Sequence, residues 1–483
     1  MNRNLSLPGL FIVGAGSVLF AEYFDQRWGG YLKIGFSIVL VLRGRLDCLP
    51  ALFMLYIAPG EFGSNLYAEA ETEAAPPVGE VVRVLDNRLV VNLLAPARFL
   101  WEFVANNRQL MGVKLPTIFA PWIVGLPFAL VSTYLGRLAG NEMWTRSVRF
   151  ALMIGCFFYG TMLADGIRNW GRDSVKPALQ FVLVCASVLV ILGAGGFYGG
   201  HLGFLNVGLA VGFGIWLLSK RGDFLEKLQA MAIMTAGAWL AIKGTFTLKG
   251  IFIVAIVFSI LRQTGLATRK LVVTVGILLI AMAVLTTGLL CLLGDQLAVD
   301  SGIVNDVNKS FFDRVWVKAY ADRLPLWRTA YEQIIKGPYL LVPGGRPLLT
   351  YSTTHGAGAT GEWVFGAHNT ALEVLRQSGL LSGGITLAVY LTLLFQLLYV
   401  IMRVNSDVAA AVAIGVFSTA LIGGFTGDFP LDMNVGFPLW TLAGVVWGYQ
   451  RGELYAAWKR EKAGKAIPVS ALTENSNVEV VDL

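Results

Sequence analysis

Residues 271–293 read LVVTVGILLIAMAVLTTGLLCLL, a run of 23 residues without a charged side chain. As an α-helix that rises about 1.5 Å per residue, this run is about 34 Å long, enough to cross the hydrocarbon core of a bilayer. Soluble domains avoid uncharged runs of this length. The stretch therefore predicts a transmembrane helix.

The composition of the whole chain agrees with this interpretation. Apolar residues make up 55% of it and charged residues only 14%, against roughly a quarter charged in a soluble domain. The basic residues lie in short clusters between apolar runs, which does not favour nucleic-acid binding. The four cysteines lie in or beside apolar runs and form no Cys-x-x-Cys pair. We therefore expect membrane lipids as partners, and neither a metal site nor a cofactor.

Other apolar runs predict further spans. The clearest are residues 115–135, 147–167, 177–195, 228–242, 380–402 and 408–424. Weaker or shorter runs are 202–218, 251–261 and 433–448, and in the N-terminal third 10–20, 31–42, 49–57 and 89–104. We predict an all-α polytopic membrane protein with about 12–14 transmembrane helices.

Clusters of lysine and arginine predict the orientation. The five clusters are Arg168/Arg172/Lys176, Lys220/Arg221/Lys227, Arg262/Arg269/Lys270, Arg403, and Arg451/Lys459/Arg460/Lys462/Lys465. Counting the spans between them places all five on one face, which the positive-inside rule makes cytoplasmic. Both termini are then cytoplasmic, and residues 451–483 are predicted to form a disordered tail.

The long segment 294–367 divides the membrane part into residues 1–293 and 368–450, and falls on the non-cytoplasmic face. Within it, apolar residues recur at helical spacing between a proline and a glycine: Pro325, Trp327, Ala330, Tyr331, Ile334, Ile335 and Gly337. This pattern predicts an amphipathic helix. The segment is therefore predicted to fold as a helical cap on the non-cytoplasmic side, which is the periplasmic side if the membrane is a bacterial inner membrane.

A second short helix is predicted directly after this segment. Asn369 is a suitable N-cap, and Gly379 is a suitable stop. His368 then stands at a helix start, where backbone N–H groups favour anions. Histidine is the usual general base near neutral pH, and arginine binds phosphate in bidentate fashion. The nearby arginines are Arg314, Arg323, Arg328 and Arg346.

Each of these residues also has a simpler interpretation. His368 can cap the helix or face lipid headgroups, and Arg323 and Lys249 can anchor the chain at the bilayer surface. Arg328 lies four residues before Glu332 and can pair with it along the helix. His355 is interpreted as a loop residue, and His201, at a span start, is given no role.

The pair His368-Asn369, followed after nine residues by Gly379-Leu380-Leu381, resembles the signature of the O-antigen ligase and polymerase superfamily. Upstream, the stretch DRLPLW at 322–327, followed by Gly-Pro at 337–338 and Gly-Gly at 344–345, is similar to the family's Arg-x-x-x-Trp helix and glycine turn. The resemblance covers residues 243–384.

The resemblance implies a metal-independent glycan transferase of the bacterial inner membrane. Its donor is an undecaprenyl-diphosphate-linked glycan, and its acceptor is a glycan or the lipid A core. His368 deprotonates the acceptor hydroxyl, with Arg323 as the second catalytic residue. The implied diphosphate-binding residues are Lys249, Arg328, Arg346 and Asn369. We expect Lys249, Arg323 and His368 to share one outer cavity, which opens sideways to the bilayer.

The chain departs from the family at Thr247-Leu248-Lys249-Gly250, where a Ser-Arg-Gly motif is usual. Lysine binds phosphate as a point charge and lacks the guanidinium fork. Arg328 or Arg346 can compensate for this difference.

Two questions stay open at the level of sequence. A ligase and a polymerase share motif and mechanism, and they differ only in the acceptor. The alternative class is a multispan transporter or flippase of a lipid-linked or anionic substrate. Such a protein should carry ionisable residues within its spans and internal repeats. The spans contain few ionisable residues, mainly Asp165, and show no obvious duplication.

Overall fold

The computed structural model describes residues 6–57, 87–105, 117–138, 146–165, 175–195, 203–220, 222–243, 245–263, 266–293, 324–336, 369–427, 430 and 433–465. These residues are almost wholly helical, and no strand occurs among them. The all-α prediction is confirmed.

The described helices are joined by segments of very different length, from one residue to 33. In chain order they are α1 Ser6–Phe24, α2 Gln26–Arg43, α3 Leu49–Ile57, α4 Asn87–Ala105, α5 Phe119–Leu138, α6 Arg146–Asp165, α7 Val175–Ala194, α8 Gly203–Ser219, α9 Phe224–Lys243, α10 Phe246–Gln263, α11 Leu266–Leu293, α12 Leu324–Lys336, α13 Thr370–Arg403, α14 Asp407–Thr426 and α15 Met433–Lys465. A 3₁₀ turn, Leu46–Cys48, precedes α3. Each apolar run named above corresponds to one of these helices.

Six of the described helices are long and apolar enough to cross a bilayer, namely α5, α6, α7, α11, α13 and α14. Shorter apolar helices lie in α1, in Leu46–Tyr56 and in α8. The protein is therefore a polytopic membrane protein. The total of 12–14 spans and the periplasmic cap stay predictions.

The core of the bundle lies around α8 and α14. In the stretch of α14 that could cross a bilayer, 89% of the residues are buried, whereas in that of α11 only 22% are buried. A helix that is apolar on every side belongs in a core or against lipid. Helix α14 therefore lies inside the bundle, and α11 lies at its edge with most of its apolar surface uncovered.

Helices α6 and α15 pack unusually closely through glycine. A Cβ added at Gly160 would collide with the carbonyl oxygen of Thr441, and one added at Gly444 would collide with that of Phe157. Small residues allow helix backbones to approach in this way within membranes. The α6–α15 contact therefore depends on both glycines.

One end of the bundle carries basic residues and is called the basic end. There the Arg262 guanidinium donates to the Val404 carbonyl at 2.8 Å and lies 3.6 Å from the Asp407 carboxylate. Gln263 donates to the Ile215 carbonyl at 3.2 Å. The ends of α8 and α10 and the α13–α14 turn therefore lie together. Lys220, Arg262 and Arg403 lie at these helix ends, and each belongs to a different one of the five clusters predicted to be cytoplasmic.

The tail prediction is corrected in part. Helix α15 continues through 451–465, where the sequence analysis predicts disorder. The stretch AAWKREKAGK at 456–465 contains mainly good helix formers and no proline, so the helix propagates beyond its apolar part. Residues 466–483 lie outside the described residues.

The glycine contact gives the first prediction. We expect Gly444→Ala to lower the stability of the detergent-solubilised protein by about 1–3 kcal/mol, because overpacking forces two backbones apart. The apparent temperature of thermal unfolding measures this change. Gly35→Ala on α2 is the matched control, since an added Cβ there meets nothing within 4 Å. Equal unfolding temperatures for the two variants would contradict the close contact.

Candidate functional site

The end opposite the basic end is called the Asn369 end, and its centre is the last turn of α14. The Phe425 carbonyl accepts a hydrogen bond from Asn369 Nδ2 at 3.3 Å. The Gly427 carbonyl accepts one from Thr370 Oγ1 at 3.1 Å. The Thr247 and Thr426 hydroxyls are 2.7 Å apart and hydrogen-bonded. These bonds join the starts of α10 and α13 to the end of α14.

Asn369 is buried, and its side chain makes four hydrogen bonds. Its Oδ1 accepts from the backbone N–H groups of Ala371 at 3.1 Å and Leu372 at 3.2 Å, which confirms the predicted N-cap. Its Nδ2 also donates to Thr287 Oγ1 on α11 at 3.0 Å. The side chain thus starts α13 and ties it to α11 and α14. That Asn369 also binds the donor diphosphate stays a prediction.

The amphipathic helix expected within 294–367 is observed as α12. Its buried face, formed by Trp327, Ala330 and Ile334, packs with Cys291 of α11 and Leu372 of α13. The Trp327 ring also meets the Phe425 ring edge-on at 5.6 Å between centroids. Helix α12 therefore joins the Asn369 end. Ile335, expected on the apolar side, is instead 48% exposed.

Two of the predicted basic residues lie at this end on described helices. Lys249 is partly exposed in the first turn of α10, two residues after Thr247. Arg328 lies on α12, where its Nε is 3.2 Å from Glu332 Oε1 and both side chains are about 40% exposed. The helical pairing considered for Arg328 is confirmed. A pair this exposed contributes at most about 1 kcal/mol to stability.

The remaining predicted residues, His368, Arg323 and Arg346, lie outside the described residues, as do His201 and His355. Helix α12 begins at Leu324, directly after Arg323, and Asn369 directly follows His368. The structure brings together the first turn of α10, α12 and the start of α13. The shared cavity and its opening towards the bilayer stay predictions.

A buried ion pair was missed by the sequence analysis. Arg376 Nη2 lies 2.8 Å from Glu373 Oε1 and 2.9 Å from Oε2, and both side chains are at most 1% exposed. Gln377 Nε2 donates to Glu373 Oε1 at 3.0 Å. The sequence does contain a pattern that could have predicted it, because the Glu-x-x-Arg spacing places both side chains on the same face of a helix.

Helix α13 breaks at Gly379, as the predicted stop requires. Gly379 has φ 72° and ψ 170°, a backbone conformation that favours glycine. The two carbonyls before the break, those of Gln377 and Ser378, accept from Ser147 Oγ at 2.8 Å and Ser132 Oγ at 3.3 Å. Serines from α5 and α6 thus replace the helical bonds that the break removes. Residues 370–378 form a separate short helix.

The described fold defines an all-helical, multi-pass membrane protein with a polar cluster at one end of its bundle. Comparisons with protein-family models, curated proteins and solved structures found no match to this chain. Its function is therefore inferred from its own residues and from the motif resemblance described above.

The hydrogen bonds of Asn369 give the second prediction. We expect Asn369→Ala to destabilise the protein by about 2 kcal/mol or more, since it removes a helix cap and two further buried bonds. Asn369→Ser retains a cap acceptor but not the Nδ2 donor, so its stability should lie between those of Asn369→Ala and the wild type. Thermal unfolding in detergent measures all three proteins.

Ser406→Ala is the matched control, because Ser406 caps α14 through a single bond to the Ala409 N–H. Its cost should be about 1 kcal/mol. A loss for Asn369→Ala no larger than that for Ser406→Ala would show that the ties to Thr287 and Phe425 add nothing.

Proposed function

We propose that this protein is a membrane glycan transferase that moves an undecaprenyl-diphosphate-linked oligo- or polysaccharide onto an acceptor hydroxyl at the periplasmic face. The acceptor is a glycan in a polymerase or the lipid A core in a ligase. The proposal places the protein in the bacterial inner membrane with both termini cytoplasmic.

One observation carries the proposal. Two parts of the motif resemblance, in 322–327 and at His368-Asn369, and the Lys249 stretch that stands in place of the family's Ser-Arg-Gly motif are far apart in sequence. Their described portions nevertheless meet around the last turn of α14, through Thr247, Trp327 and Asn369. Segments that share a reaction must lie together, and lipid-anchoring residues have no such requirement. The meeting point therefore favours a common site over separate anchors.

The chemistry follows from the residue types. His368 takes the proton of the acceptor hydroxyl, whose oxygen attacks the anomeric carbon of the donor. The bond from that carbon to the diphosphate oxygen breaks, and undecaprenyl diphosphate leaves. Arg323 balances the charge that develops on the leaving group, with Lys249, Arg328 and Arg346 as further basic residues. Such residues belong at headgroup depth, where a lipid diphosphate rests.

The third prediction concerns His368. We expect His368→Ala to reduce transfer about 10²–10⁴-fold, the usual effect of losing a general base. The amount of membrane-inserted protein should not change, because Asn369 and not His368 caps the helix, and even a lost cap costs only about 1 kcal/mol. The assay measures transfer from a lipid-linked donor in reconstituted vesicles, normalised to folded protein.

Other variants separate binding from mechanism. Arg323→Lys should also impair transfer, because a point charge cannot replace the bidentate fork. Arg328→Ala should be milder, as the Arg328 side chain already pairs with Glu332, and His355→Ala should be milder too. Near-normal transfer by His368→Ala would remove this mechanism.

A further inference from the structure

The Glu373–Arg376 pair lies in the short helix that begins at Asn369. Arg376 reaches Glu373 through Nη2 at 2.8 and 2.9 Å and through Nε at 3.3 Å, so the contact is a bidentate fork. Glu373 is 0% and Arg376 1% exposed. Both charges are therefore removed from solvent, within four to seven residues of the Asn369 cap.

A buried ion pair of this kind contributes little net free energy to the stability of the fold. The desolvation of two charges offsets most of their attraction, and replacing a buried pair by apolar residues of similar volume is often neutral or stabilising. Removing one partner is strongly destabilising, because the other charge stays buried. A role in specifying geometry accounts for the pair better than a role in stability.

The geometry that the pair specifies involves two helices. Arg376 Nη1 lies 3.4 Å from Gln333 Oε1 on α12. On the other side of the pair, Gln377 Nε2 donates to Glu373 Oε1 at 3.0 Å. A hydrogen-bonded chain thus runs from α12 through both charges to Gln377, whose carbonyl is held by Ser147 of α6.

The short helix is consequently fixed at both of its ends. Asn369, its N-cap, bonds to α11 and α14, and Ser147 and Ser132 bond its last two carbonyls to α6 and α5. The ion pair lies between these ties and adds the link to α12. Residues 370–378 and α12 are therefore held together by charged and polar groups as well as by apolar packing.

We propose that the Glu373–Arg376 pair is a positioning element for glycan transfer. It sets α12 and the start of α13 relative to each other, and so fixes the two helix ends that the proposed catalytic residues Arg323 and His368 adjoin in sequence. This inference rests on the proposed function. The pair does not touch the reacting atoms, and its loss should affect the chemical step more than donor binding.

The fourth prediction tests the pair with a double variant that is expected to fold. Glu373→Leu combined with Arg376→Met removes both charges and keeps an apolar volume. We expect this protein to insert and unfold like the wild type, while kcat falls about 10²-fold through misplacement of the reacting groups. KM for the lipid-linked donor should change far less. Amide hydrogen exchange should rise in 324–336 and 370–378 and nowhere else.

Two further proteins complete the design. Glu373→Arg with Arg376→Glu restores a charge pair in reverse order and should recover part of the lost kcat. The matched control is Glu22→Leu with Lys33→Leu, which removes the 2.9 Å ion pair between α1 and α2. This control should leave both kcat and the exchange of 370–378 unchanged.

The outcomes separate the two claims. If the wild type transfers glycan and the uncharged double variant, Glu373→Leu with Arg376→Met, transfers equally well per folded molecule, the positioning role alone is overturned. Equal losses of kcat in the control that lacks the Glu22–Lys33 pair would also overturn it, since the effect would then be general. A wild-type protein that releases no undecaprenyl diphosphate would overturn the proposed function, and the positioning role with it.

Discussion

The last turn of a helix leaves carbonyl groups that no helical N–H can reach, and within a bilayer there is little water to satisfy them. In α14 this requirement falls on Phe425 and on the adjoining Gly427, whose carbonyls accept from Asn369 and Thr370. The start of α13 is thereby fixed against the end of α14. The positions of α11 and α12 follow, because Thr287 bonds to Asn369 and Trp327 packs on Phe425.

The same requirement explains the construction of α13. The break at Gly379 exposes two carbonyls, and Ser132 and Ser147 satisfy them. A membrane protein tolerates a broken helix where protein groups replace the lost bonds. The break separates a nine-residue polar segment from the apolar span, so that polar groups collect at one end of the bundle. The proposed donor, with an anionic diphosphate and a lipid tail, needs a site at such a polar–apolar boundary.

Much of the fold could be predicted from the sequence, because apolar runs and helical spacing are local properties. Helices α3 and α12, the Asn369 cap and the Gly379 stop all correspond to the structure. The polar ties could not be predicted, since Asn369 and Phe425 meet only after the bundle has packed. The Glu-x-x-Arg spacing of Glu373 and Arg376 is visible in the sequence, but the burial of both charges depends on packing against α12 and could not be predicted from it. The proposed roles of His368 and Arg323, which lie outside the described residues, rest on the motif resemblance, and that of Arg346 rests on its place in the same segment.

At the Asn369 end the protein is proposed to break a glycosyl–diphosphate bond and to form a glycosidic bond, and one measurement tests this directly. Purified protein is reconstituted in vesicles with a labelled undecaprenyl-diphosphate-linked glycan and an acceptor, and product and released undecaprenyl diphosphate are quantified together. A transferase predicts covalent product on the acceptor and one released undecaprenyl diphosphate for each glycan transferred. Movement of intact donor across the vesicle membrane, with neither product nor released diphosphate, would contradict the account and identify a transporter.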